Sequence, residues 1–77
     1  MATVRLFAAA AEAAGTEQTT VAVGTVGDLR AVLAERHGDE FARVLRQCAI
    51  VVAGQRVSDE HPIGDEMVDV LPPFAGG

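Results

Sequence analysis

Apolar and polar residues alternate from the start of the chain. In Thr3-Val4-Arg5-Leu6-Phe7, Val4 and Leu6 share one face and Arg5 and Phe7 the other, which predicts a half-buried strand. Ala8 to Ala14 is alanine except for Glu12, a good helix former, and Gly15 follows as a stop. Residues 17–23, Glu-Gln-Thr-Thr-Val-Ala-Val, are rich in β-branched side chains and predict a second strand. The first two strands can pair as a hairpin with a helical insert. Thr25-Val26-Gly27-Asp28 is a capping signature, and Val26, Leu29, Val32 and Leu33 then repeat with helical period. Gly38 ends this helix after His37. A shorter pattern runs from Asp39 to Gln47 with Phe41, Val44 and Leu45 inward.

Residues 48–53, Cys-Ala-Ile-Val-Val-Ala, are continuously apolar and suit a central strand. A turn at Gly54-Gln55 precedes a brief return at Arg56-Val57, and residues 59–62 read as loop. Residues 66–71 alternate again, with Val68 and Val70 on one face and Met67, Asp69 and Leu71 on the other. The expected fold is an α+β roll: a mixed sheet of four to five strands with the main helix packed on one face. Residues 1–71 form the domain, and 72–77 form an extended tail.

Composition narrows the function. The chain has 77 residues, and 14 of its 38 hydrophobic residues are Ala, leaving 24 larger apolar side chains. That supports one small core and argues against a self-contained enzyme. No apolar run approaches the roughly 20 residues of a membrane span, and no signal peptide is expected. The lone Cys48 excludes an internal disulfide and a cysteine-based metal site, pointing to a reducing cytoplasm. Residues 1–56 balance six Arg against six acids, whereas 57–77 hold five acids and no base. Such an end repels nucleic acid and suits either a basic protein surface or plain solvation. No Lys is present.

No P-loop, dinucleotide fingerprint, paired cysteines or zinc-protease motif occurs. His37 and His61 read as ordinary cap or loop residues, and Cys48 as a buried thiol. The chemistry concentrates in the tail. Pro72 and Pro73 remove backbone donors and stiffen the exit from the last strand. Phe74 is an apolar anchor beside Ala75, and Gly76-Gly77 can pass through a narrow channel. Extended, residues 72–77 reach roughly 20 Å, enough to carry a terminal carboxylate into another protein's active site.

Val4-Arg5-Leu6-Phe7-Ala8, the helix opening from Thr25 to Leu33, and Asp69-Val70-Leu71-Pro72-Pro73-Phe74-Ala75-Gly76-Gly77 resemble the small subunit of molybdopterin synthase. That family is a ubiquitin-like β-grasp sulfur carrier of the ThiS/MoaD superfamily. The resemblance spans nearly the whole chain, and Pro-Pro-x-x-Gly-Gly points to the molybdopterin branch. It implies that an E1-like enzyme uses ATP to adenylate the Gly77 carboxylate, and that a sulfur donor protein converts it to a thiocarboxylate. The tail then enters the large synthase subunit, in a heterotetramer, and gives its sulfur to cyclic pyranopterin monophosphate in molybdenum cofactor biosynthesis. The catalytic bases lie on that large subunit, so the chain is a non-catalytic carrier that binds no cofactor or metal, nucleic acid or membrane. If the first and last strands are neighbours, Phe7 and Leu71 form one docking patch with Phe74 as tail anchor. The alternative is that residues 39–47 cover that face. The chain departs from the family at Ala53, where many relatives carry Asn, and at Arg56, where they often carry an apolar residue; the interface is then more polar or shifted.

Three other readings stand beside this one. The same Gly77 chemistry could serve thiamine or cysteine synthesis. The chain could be a ubiquitin-like modifier joined to target lysines; lacking Lys, it could not build polymers through its own side chains. It could also be an adaptor with no chemistry at its tail.

Overall fold

The computed structural model describes residues 1–73. Five strands form one mixed sheet, β1 (Ala2–Leu6), β2 (Gln18–Val21), β3 (Ala49–Val52), β4 (Gln55–Val57) and β5 (Met67–Leu71), in the order β2-β1-β5-β3-β4. β1 and β5 run parallel side by side; the other neighbours are antiparallel. Three helices complete the fold: α1 (Ala8–Ala14), α2 (Val26–His37) and α3 (Asp39–Leu45). This is the expected α+β roll, a β-grasp architecture, with the full five strands.

Alternation sets the two faces of the sheet. Val4 and Leu6 of β1, Val68 and Val70 of β5, and Ile50 and Val52 of β3 all point inward and are buried. Onto them α2 lays Val26, Leu29 and Leu33, and α3 lays Phe41 and Leu45. α3 therefore covers the inner side beside α2, not the outer face. Among the described residues no polar or charged residue is buried.

Four local expectations shift. β2 is shorter than 17–23, because the chain turns away after Val21 toward the helix cap. α3 stops at Leu45 rather than 47: the Gln47 and Cys48 amides bond three residues back, to Val44 and Leu45 carbonyls, tightening the chain into a turn. The hairpin turn is Ala53-Gly54, both with left-handed φ (53° and 79°), not Gly54-Gln55. The apolar run forms β3, which is internal, but the middle of the sheet is β5.

Thr25 caps α2 as its sequence predicts, its Oγ1 accepting the Asp28 amide at 3.2 Å. The Val26 and Gly27 amides donate to the carbonyls of His61 and Asp59 at 3.0 and 2.9 Å. A side chain at Gly27 would press its Cβ to 3.3 Å from the Asp59 carbonyl, so glycine lets the loop lie against the helix. The first-turn amides are thus all engaged, and no anion site remains there. No helix among the described residues is long and apolar enough to cross a membrane.

Candidate interaction face and tail

The outer face of the sheet carries no helix among the described residues. Its middle row follows from the strand registers: Gln18 on β2, Arg5 on β1, Asp69 on β5, Val51 on β3 and Arg56 on β4. Arg5 grips Asp69 with two bonds, Nε at 2.7 Å and Nη2 at 3.0 Å. Its guanidinium carbon also lies 5.7 Å from the centre of the Phe7 ring, a cation–π distance. To one side of this row, Leu71 aligns with Ala49; to the other, Met67 aligns with Thr3. Phe7 and Met67 are exposed (38% and 46%), and Leu71 is half-buried.

Phe7 owes its position to a sharp change of backbone. It remains extended (φ −122°, ψ 148°) as the residue capping α1, and Ala8 then adopts φ 50°. Its carbonyl accepts the Ala10 amide at 3.0 Å, so the helix starts directly after Phe7 while the side chain keeps the outward side of β1, beside Arg5. Because β1 and β5 are parallel neighbours, Phe7 and Leu71 end up at the same end of that face.

The tail begins where β5 ends. Pro72 and Pro73 line a groove of about 240 Å³ with Ala9 of α1 and with Arg43, Val44 and Gln47 on and after α3. Arg43 is paired with Glu40 at 2.6 Å. Phe74, Ala75, Gly76 and Gly77, on which the tail chemistry rests, lie outside the described residues.

The other candidate groups separate. Cys48 is buried, its Sγ donates to the Val44 carbonyl at 3.3 Å, and burial pushes its pKa up although Arg30 pulls it down. It is a thiol, not a nucleophile poised by His61. The His37 ring packs tilted (59°) against Phe41 with ring centres 5.0 Å apart, and its Nε2 has no hydrogen-bond partner among the described residues. Burial, then the Arg36 charge, lower its pKa. Among the described residues no group of three His, Cys, Asp or Glu could hold a metal.

One organising residue gave no signal in the sequence. Arg30 of α2 donates to the Leu45 and Cys48 carbonyls at 2.7 and 2.9 Å and to Asp59 at 3.0 Å. It thereby ties the end of α3, the start of β3 and the loop that caps α2. Only the tertiary approach of segments 15 to 29 residues apart makes those bonds, so no spacing rule reveals them.

A model of the ThiS family matches residues 4–77. None of the curated proteins matches the chain. Among solved structures, small archaeal modifier protein 1 (SAMP1) from Haloferax volcanii superposes with a TM-score of 0.83 at 25% identity, covering 99% of this chain and 98% of that one. SAMP1 from Methanosarcina acetivorans gives 0.77 at 26% identity, covering 99% and 95%. The complex of subunits 1 and 2 of the molybdopterin-converting factor from Helicobacter pylori gives 0.72 at 26% identity, covering 99% and 97%.

Proposed function

Starting from a chain that belongs to the ThiS family, a β-grasp group of sulfur carriers and ubiquitin-like modifiers, we propose that it is the sulfur-carrying small subunit of molybdopterin synthase. The observation that carries this reading is where the described chain ends. β5, the central strand, leads into Pro72-Pro73 at the end of an open face whose apolar residues include Phe7 and Leu71, and the sequence continues with Phe-Ala-Gly-Gly. The likeness to a subunit 1 solved together with its subunit 2 supports the choice.

In this reading the domain is a handle and the terminus is the reactive group. A carboxylate is a poor electrophile. Joining it to AMP, with loss of pyrophosphate from ATP, supplies a good leaving group, and sulfide-level sulfur released by a sulfur donor protein displaces AMP to leave a thiocarboxylate at Gly77. Its sulfur is a softer and stronger nucleophile than the oxygen it replaces. The rigid Pro-Pro exit and the side-chain-free Gly76-Gly77 end place that sulfur in the large subunit, beside cyclic pyranopterin monophosphate. ATP is consumed by the E1-like activating enzyme, and the working location is the cytoplasm.

The first test is the intact mass of the protein after incubation with an activating enzyme, ATP and a sulfur donor. One oxygen exchanged for sulfur is expected, and none when Gly77 is deleted. An unchanged mass, with the activating enzyme competent on another carrier, overturns the reading. For the face, Phe7→Asp and Leu71→Asp are expected to abolish binding to the large subunit while leaving the melting curve in place. Unchanged affinity removes the face from the interface.

The similarity to small archaeal modifier protein 1 favours a second reading, a modifier joined to proteins through Gly77. It predicts a ladder of conjugates in cell extract that disappears with Gly77.

A further inference from the structure

The outer face holds three charged residues at outward strand positions, and two neutralise each other. Arg5 commits its guanidinium to Asp69 and to the ring of Phe7. Arg56 has no such counterpart. It stands in the same row, but Val51 separates it from Asp69, so the two lie two strand spacings apart, about 10 Å. Among the described residues Arg56 enters no ion pair and no side-chain hydrogen bond. The acid that follows β4 most closely, Asp59, is turned to Arg30 on the helix side. At these outward strand positions two guanidiniums stand against one carboxylate, and Glu17, which lines a groove with Arg5 and Phe7, lies toward the β2 edge, opposite Arg56; the β4 corner is therefore positive on a chain whose net charge is −5.

A partner that covers the face must either leave Arg56 in water or meet it with an anion, because an unpaired buried charge is strongly disfavoured. We propose that Arg56 is the specificity-determining residue of the docking face, and that the partner carries an Asp or Glu carboxylate seated on its guanidinium while its apolar centre covers Phe7 and Leu71. This rests on the reading of the face given above. Arg5 and Asp69 bring a matched pair to the centre and demand nothing of the partner's charge. Arg56, at the β4 edge, lies well off the centre of the sheet, so its counter-charge also selects which way round the partner sits. A planar guanidinium suits a carboxylate in two-point contact. A basic partner surface at that corner, or an apolar one that buries Arg56, is rejected.

The test measures association of the full chain with the large subunit of molybdopterin synthase from the same organism, at low and high salt. Arg56→Glu is expected to slow association about tenfold at low salt, with the difference shrinking at high salt, as for a charge that steers encounter. Arg56→Gln is expected to fall between the two. Replacing the facing carboxylate of the large subunit by Arg is expected to restore the Arg56→Glu variant. If both Arg56 variants associate like the unaltered chain while Phe7→Asp does not bind, the face docks but Arg56 selects nothing, and the inference is overturned. If Phe7→Asp also binds normally, the docking reading itself falls and the Arg56 assignment falls with it. Arg56 is exposed on an edge strand, so melting curves of its variants should match the parent. Should Arg56→Glu lower the melt, Arg56→Gln alone decides.

Discussion

Ala53 holds φ 53° at the first of two left-handed positions between β3 and β4, with Gly54 at 79° beside it. Two-residue hairpins of this kind favour Asn-Gly, because Asn tolerates that backbone better than Ala. Alanine there costs about 1 kcal/mol. Ala53→Asn is therefore expected to stabilise the domain by about 0.5–1 kcal/mol, seen as a higher urea midpoint at unchanged slope. A midpoint at or below that of the parent contradicts the strain argument. The turn was visible in the sequence, but one residue too late. Gly54 marks a turn in either position, and only the register Val52↔Gln55 assigns it to Ala53-Gly54.

Arg30 shows how an element is held from outside itself. α2 contributes its apolar stripe to the core, as its periodicity predicts, yet its attachment to α3 and β3 runs through one guanidinium and two carbonyls. These are hydrogen bonds from a charged donor in a half-buried setting. Arg30→Ala is expected to lower unfolding stability by about 2 kcal/mol, and Arg30→Lys to recover only part, because an ammonium cannot span both carbonyls. Loss of less than about 0.5 kcal/mol in urea titration, the scale of an ordinary surface change, sinks this role. The elements themselves were legible: the Thr25 cap, the Gly38 stop and the alternation of β1 and β5 are local signals. Their ends were less so. α3 stopped short of Gln47 because its last amides turned to nearer carbonyls in order to feed β3.

Over the whole molecule, titrating groups define a dome of stability. His37 has a folded pKa below its ordinary 6.5. Its contribution is complete above that value and is lost as pH falls, since the unfolded chain takes the proton first. Glu40, Glu66 and Asp65 are held below their ordinary 4.5, 4.5 and 3.8 by Arg43, the Gly64 amide and the terminal ammonium, so a second loss follows at lower pH. Cys48, raised above its ordinary 9.0, bounds the alkaline side, where the unfolded thiol ionises first. The melting temperature is expected to be lower at pH 5.5 than at 7.5, and His37→Gln to remove that first step. An equal melting temperature at both pH values refutes the assignment. At this scale the division between sequence and structure is clear. Sequence alone determined most of the core on β1, α2 and β5, the order of the elements, and a tail of Pro-Pro-Phe-Ala-Gly-Gly, because periodicity and backbone chemistry are local; it did not reveal that Ala2, Ala10 and Ile63 are buried while Val32 and Val44 are only partly so. Tertiary structure alone decided that β5 lies in the centre beside β1, that α3 joins α2 on the inner side, and that Phe7, Leu71, the Arg5–Asp69 pair and Arg56 share one open face. Those facts depend on pairing between residues as far apart as 5 and 69, and such pairing is set by the global packing of the sheet rather than by any neighbouring residue.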